Sequence, residues 1–364
     1  MRKTLKVSSI ALLIAGGFIQ PLSAQEVPAG YPADYKSVIE SAKKEGTVVV
    51  YSATDPSQAA KLLEAFKKAY PSIKVKYNDL NTTVIYNRVY SEAAANQMGA
   101  DVVWSSAVDT QLSLVERGLA AQYKSPEATN LPDWANYKDS AYGTTLEPAA
   151  VVYNKTLIKP EQVPKTSADL LALFQKEKDQ LKGKVTTIDP EKSGIGFIWA
   201  QTDAKHSDKF WDLIKAFGAA DGKVYSSAGS VREKVVSGEH SLGFNVFGSY
   251  AEEWAKASPN LGVAYLSDFT PAVSRVAFAT KNGPHPNAGK VFLDFMLSKP
   301  GQEALVANGV PSPRSDLTDG DFDTVNAKVG GNLAPIKLDA ELLSYLKPAV
   351  RGEFMKQWKT SLGK

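Results

Sequence analysis

The sequence predicts an α/β protein of two lobes, each a mostly parallel sheet flanked by helices, joined by two extended crossings with a ligand cleft between them. Three observations lead there. Short apolar strand runs stop at small or hydroxyl residues just where helical patterns begin. That strand–helix alternation, the mark of largely parallel sheets with helices on both faces, occurs in two separate blocks of the chain. A further strand-like run, Val273 to Ala279, then leads the chain out of the second block.

Taken in order, Tyr35 to Lys44 has the spacing of a short amphipathic helix, stopped by Glu45-Gly46. Thr47 to Tyr51 is β-branched and apolar, the pattern of a strand buried on both faces. Asp55 suits a helix N-cap and Pro56 the first helical position, with Ala59, Leu62, Leu63 and Phe66 at helical spacing up to Tyr70-Pro71. Ile73 to Tyr77 alternates as a strand, and Asn81-Thr82-Thr83 caps a helix running towards Gln97. Asp101 to Trp104 is a second buried-type strand, followed by Ser105-Ser106, a helix over Val108 to Arg117, and a stop at Gly118. Ala149 to Tyr153 is the first crossing and Pro271 to Phe278 the second. Between them Lys184 to Ile188 and Leu242 to Val246 are strands, and helices start near Ser193 and Asp208. After the second crossing, Asn282 to Ser298 and Pro300 to Arg314 are helical with turn punctuation. The expected division is residues 1–24 as a leader, 25–150 with 274–364 as the first lobe, and 151–273 as the second.

The leader reading rests on Arg2, Lys3 and Lys6 ahead of the apolar stretch Ile10 to Ile19, then Pro21 and Leu22-Ser23-Ala24. That is a secretory signal peptide cleaved after Ala24, too short in its apolar part to span a bilayer. Export to the periplasm follows. The chain contains no cysteine, so no disulfide, thiolate metal site or N-terminal lipid anchor is possible, and stability must come from a large core. A net charge of +3 on 364 residues gives no reason to expect nucleic acid or a membrane surface as partner. The expected state is a monomer.

Catalytic and metal signals are poor. His206, His240 and His285 are the only histidines, and no pair has the spacing of a metal motif. No nucleophile elbow, Walker loop or dinucleotide fingerprint is present. A secreted hydrolase of phosphate esters would need a metal cluster or an activated nucleophile. The chain is therefore expected to bind without doing chemistry, and without a cofactor.

The candidate site is built from strand ends. In open parallel sheets ligands sit beyond the carboxyl ends of strands. Four such ends carry small or hydroxyl residues: Ser52-Ala53-Thr54-Asp55, Thr82 with its neighbours, Ser105-Ser106, and Ser193-Gly194-Ile195-Gly196. Helix N-termini offer free N–H groups and a positive dipole end, which suits a carboxylate or phosphate. Thr144, Thr145 and Glu147 lie just before the first crossing, where Glu147 is placed to accept from a ligand hydroxyl or amine. Phe247 and Tyr250 follow a strand as a wall or stacking surface. Asp203 and His206 end the helix from Ser193 and are the outlying candidates.

The motifs "EGTVVVYSA", "ADVVWSS", "VVYNK", "SGIGFIWA", "GPHPNAGKVFLDFMLSKPGQEAL" and "GVPSPR", in this order behind a signal peptide, resemble the periplasmic solute-binding proteins of ABC importers. The branch is similar to that of the ferric-ion-binding proteins. The resemblance covers nearly the whole mature chain and implies a type II two-lobe fold, a hinge, ligand-driven closure and delivery to a membrane permease, with a membrane sensor as a further possible partner. Ferric members of that branch use two adjacent tyrosines and often a histidine after the first strand. Here Phe247-Gly248 and Asp55 stand at those places, so a hard Fe(III) site lacks its ligands. The resemblance then implies an organic anion, such as a sugar phosphate or phosphonate. Ferric iron and a polyamine are the alternatives.

Overall fold

The computed structural model describes residues 27–364, so the signal-peptide reading lies outside the described residues. Helix α1 (Tyr35–Glu45) leads into β1 (Thr47–Ser52), α2 (Pro56–Ala69), β2 (Lys74–Asp79), α3 (Thr82–Ala94), β3 (Val102–Ser105) and α4 (Val108–Glu116). Local chemistry sets these boundaries. Gly46 takes φ 65° and donates its N–H to Ala42, which closes α1. Asn81 caps α3 by accepting from the Thr83 N–H at 2.9 Å. Asp55 occupies the N-cap position of α2 ahead of Pro56, but its side chain makes no capping bond.

Two short strands, β4 (Asn136–Tyr137) and β5 (Ala141–Gly143), precede the long β6 (Glu147–Asn154). There follow α5 (Ser167–Lys176), β7 (Val185–Ile188), α6 (Gly194–His206), α7 (Phe210–Ala219), β8 (Lys223–Tyr225), α8 (Ala228–Val236), β9 (Leu242–Phe247), α9 (Gly248–Ala257), β10 (Leu261–Ala264) and β11 (Thr270–Val273). The chain ends with β12 (Val276–Ala279), α10 (Pro286–Leu297), α11 (Lys299–Ala307), α12 (Phe322–Lys328), β13 (Leu333–Pro335), α13 (Ala340–Ser344) and α14 (Pro348–Ser361).

The strands form two sheets. The first has the order β2-β1-β3-β12-β5-β4, and the second β13-β11-β6-β9-β7-β8 with β10 on β6. The α/β two-sheet architecture is the expected one, but each sheet is mixed rather than mostly parallel. Strand–helix–strand units pair in parallel, as in β1 with β2 and β3, and β7 with β8 and β9. The strands next to a crossing run the other way, as in β12 against β3 and β6 against β9. The reason is geometric. A strand that starts at the crossing enters its sheet from the end where the helix-linked strands finish.

The changes of sheet are also sharper than expected. The chain passes from β5 to β6 through Thr144-Thr145-Leu146, and from β11 to β12 through Ser274-Arg275. Ala149 to Tyr153 lies wholly in the second sheet. The C-terminal part is shared between the lobes rather than kept whole in the first, as the division 274–364 expects. β12, α10 and α11 stay with the first sheet and α13 packs on α4 there, but β13 pairs with β11 of the second sheet, and Phe354 and Trp358 of α14 join the apolar core around Phe210 and Phe217. An apolar face on a terminal helix packs wherever a matching face is left uncovered, and nothing in its own pattern names that partner.

Candidate functional site

The two crossings lie side by side and are laced together. Thr144 donates its N–H and its hydroxyl to the Arg275 carbonyl at 2.9 and 2.8 Å, and accepts from the Trp104 indole N–H at 2.7 Å. The Arg275 N–H donates to Thr145 Oγ1 at 2.9 Å, and the Thr145 N–H donates to Ser274 Oγ at 3.2 Å. Each of these polar groups is buried and partnered, as a dry hinge requires.

From this lacing Arg275 projects between the sheets, with its side chain 1% exposed. Its Nε donates to Glu147 Oε1 at 2.6 Å and Nη2 donates to Oε2 at 3.2 Å. Nη1 reaches the β1–α2 loop, donating to Thr54 Oγ1 at 3.1 Å and to the Ala53 carbonyl at 3.3 Å. The guanidinium lies 4.6 Å from the Phe247 ring centre and 5.2 Å from that of Tyr250, within cation–π reach. Burial opposes the guanidinium charge, but the adjoining Glu147 carboxylate and the Tyr250 phenol more than offset it, and its proton is held more tightly than usual.

Glu147 is equally engaged. Thr145 donates to its Oε1 at 3.0 Å and Ser249 to its Oε2 at 2.6 Å. Both oxygens are therefore committed within the protein rather than turned to a ligand hydroxyl. The Asp55 N–H donates to Tyr250 Oη at 3.2 Å, a direct bond between the first-sheet loop and α9. The Tyr77 hydroxyl donates to the Thr54 carbonyl at 2.6 Å and holds that loop in place. Burial raises the Tyr250 pKa.

A second contact between the lobes occurs at the start of α6. A β-carbon added to Gly194 would lie 2.7 Å from Ala107 Cβ and 3.8 Å from Thr82 Oγ1. Thr82 opens α3, Ala107 is the N-cap residue of α4, and Gly194 opens α6, so three helix starts from both lobes meet here. Ser193 occupies the α6 N-cap position without capping the helix with its hydroxyl. Ser105 and Ser106, just before Ala107, are buried at 2% and 3% exposure. Gly196 has a different task. A β-carbon there would lie 2.9 Å from Ile188 Cγ2 and 3.0 Å from the Ile188 carbonyl oxygen, so its absence lets α6 pack on β7. Ile195 is buried in the core at the lobe junction.

Most of the expected residues thus fall into two groups, while Ile195 and Gly196 serve the packing of α6. Ser52, Ala53, Thr54, Asp55, Thr144, Thr145, Glu147, Phe247 and Tyr250 gather at the hinge. Thr82, Ser105, Ser106, Ser193 and Gly194 gather around the three helix starts. Asp203 and His206 join neither group. Asp203 accepts from Asn245 Nδ2 at 2.7 Å, and the His206 ring stacks on Phe269 with centres 3.5 Å apart, both at a cavity within the second lobe. The other histidines have structural partners: His240 shares a 2.8 Å hydrogen bond with Tyr225, and His285 a 2.9 Å contact with Asp101.

Arg275, Ser249 and Ala107 are absent from the expected set. Arg275 had a signal, as the only charged residue in the apolar run Pro271 to Ala279. Ser249 and Ala107 had none. Among the described residues no group of three or more His, Asp or Glu side chains is placed to hold a metal ion, and no helix is long and apolar enough to cross a membrane.

Two sheet-bearing lobes, a double crossing between them and helix starts facing one another are the layout of a solute-binding protein. The model of the family described as bacterial extracellular solute-binding protein matches residues 52–303, and the chain belongs to that family. It is 34% identical to the substrate-binding protein of the ABC transporter from Agrobacterium tumefaciens, over 87% of this chain and 94% of that one, with a TM-score of 0.82. Iron-bound HitA from Pseudomonas aeruginosa shares the fold at 18% identity, over 86% of this chain and 99% of that one, with a TM-score of 0.68. So does the periplasmic binding protein AfuA from Actinobacillus pleuropneumoniae with fructose-6-phosphate bound, at 20% identity, over 87% and 99%, with a TM-score of 0.69. No curated protein sequence matches the chain. The protein is a substrate-binding component of an ABC transporter, with the type II architecture of its structural neighbours.

Proposed function

We propose that the protein captures a small anionic solute, most simply a phosphate-bearing organic compound, between its lobes in the periplasm and delivers it to its permease without chemical change. The observation that carries this reading is the meeting of the α3, α4 and α6 starts at Gly194. Each helix start presents the positive end of its dipole, and the α6 start, which no side chain caps, adds backbone N–H donors; together they favour an anion. The Ser106 and Ser193 hydroxyls and the Thr82 side chain supply further donors. The lobes close about the crossings at 144–146 and 274–275, and the ligand favours the closed state through its contacts to both sides.

The hinge residues serve that closure rather than ligand charge. Arg275 is already neutralised by Glu147, so neither an anion on Arg275 nor a polyamine on Glu147 has an unpaired counter-charge there. A ferric ion finds little support, because Tyr250 already accepts from the Asp55 N–H and burial disfavours its phenolate.

Thermal-shift screening of the mature protein against fructose 6-phosphate, inorganic phosphate, carboxylates, spermidine and ferric citrate tests the reading. A ligand present at 100 times its dissociation constant adds about 2.7 kcal/mol of stability. Phosphate esters should stabilise, and Ser193→Asp, which puts a negative charge among the helix starts, should abolish the effect in calorimetry. Stabilisation by spermidine or ferric citrate alone, or unchanged affinity in Ser193→Asp, overturns it.

A further inference from the structure

The second lobe holds a cavity of about 510 Å³, set apart from the facing helix starts. Every residue lining it lies between Ala149 and Pro271, and none belongs to the first sheet. Its size is within the range of roughly 300–1,000 Å³ in which small-molecule sites fall. Its walls are mainly apolar, with Val151 and Phe244 from the sheet, Leu170 and Leu171 from α5, and Leu213 from α7.

The floor of this cavity is irregular in a specific way. Ala150 pairs with Val246 and Val152 with Gly243, so Val151 alone faces both Phe244 and Asn245. That is a β-bulge in β9, and Asn245 sits in it with φ 54°. A left-handed backbone is unfavourable for residues other than glycine, with asparagine among the few that adopt it. The bulge turns the Asn245 amide onto Asp203, donating to Oδ2 at 2.7 Å.

Asp203 forms a hydrogen bond with Asn245 but no ion pair with any cation among the described residues. Lys205, the closest cation in sequence, pairs with Glu341 instead. The other charged or titratable groups at the cavity are Asp208, Asp268, Lys209 and His206. Asp268 is occupied in accepting from the Ser167 N–H at 2.9 and 3.0 Å, and adds negative potential. Burial, opposed by the Asn245 hydrogen bond and reinforced by Asp268, pushes the Asp203 carboxyl up to about 7. Lys209 is exposed at the cavity and makes no ion pair with Asp203, so the carboxyl has no cationic partner there.

We propose that this cavity is a second binding site, separate from the solute cleft, for a small organic cation: an ammonium group on Asp203 with an apolar body against the aliphatic walls. The stacked His206 and Phe269 rings form one edge of the site. The assignment does not depend on which solute the cleft takes.

Calorimetric titration of the mature protein with benzylamine, and with benzyl alcohol as its uncharged counterpart, tests it. Benzylamine should bind at one site, at least tenfold tighter than benzyl alcohol. Asp203→Asn, which removes the charge but keeps an acceptor for Asn245, should weaken benzylamine at least tenfold. Ala168→Trp, on the exposed start of α5 at the cavity rim, should do the same without touching the core. Ser193→Asp should leave benzylamine affinity unchanged. Absence of saturable benzylamine binding overturns the proposal, as does equal affinity in Asp203→Asn and wild type. So does loss of binding in Ser193→Asp with retention in Asp203→Asn, because the amine would then be occupying the cleft.

Discussion

Arg275 and Glu147 show how much one buried pair can organise. Taking both charges out of water is costly, and the pair is sustained only because nearly every polar atom finds a partner: Thr145 and Ser249 on the carboxylate, Thr54 and Ala53 on the guanidinium. Removing one member leaves the other charged and unpaired. Arg275→Met should therefore destabilise the protein by about 3–5 kcal/mol, read from the urea midpoint, whereas Arg275→Met with Glu147→Gln should recover part of the loss. A loss below about 1 kcal/mol in the single variant would mean that water reaches Glu147. At this scale the chain was half legible. A lone arginine in an apolar strand run marks a buried charge, and a glutamate beside a crossing marks the cleft. Their pairing was hidden, because they are 128 residues apart and no local pattern links them.

At the scale of an element, α6 explains why some candidates assemble and others do not. Its 13 residues span about 20 Å, so Ser193 at its start and Asp203 and His206 at its end reach different places. The two glycines of "SGIG" also divide their work by the helical turn. Gly194 faces the other lobe, and Gly196 faces the sheet beneath. Gly196→Ala forces its new methyl against the Ile188 carbonyl oxygen and Cγ2, and should cost about 1–3 kcal/mol in thermal unfolding, with α6 displaced from β7. No change in melting point would show that the strand gives way without cost. The small residues of this motif were visible in the sequence as a place of close approach. Which neighbour each one approaches was not.

For the whole molecule, the property that matters to the proposed function is how the two lobes meet. The lobes touch through Asp55 with Tyr250, through Arg275 with Thr54, and through Gly194 with Ala107. Gly194→Val places its branched side chain where Ala107 of the other lobe stands, and the atoms it would meet, Ala107 and Thr82, both lie across the lobe boundary. It should leave urea stability within about 1 kcal/mol of wild type, the usual range for a change outside packed features. It should lower solute affinity at least tenfold and increase the radius of gyration of the ligand-loaded protein in solution scattering. Wild-type scattering and affinity in this variant would show that closure does not bring Gly194 to Ala107. The C-terminal segment adds a constraint at the same scale, since α13 packs on α4 while α14 packs on α7.

The order of strands and helices, the hydroxyl-rich strand ends and the two-lobe plan were readable from the chain because they rest on local physics: β-branched runs, helix caps and apolar spacing. The resemblance in motif order carried the family by the same residues. The antiparallel crossing strands, the return of β13 and α14 to the second sheet, the Arg275–Glu147 pair and the separate cavity at Asp203 were decided only in three dimensions. Each depends on which distant surfaces meet, and burial and charge pairing act through space, between residues that sequence spacing leaves unrelated.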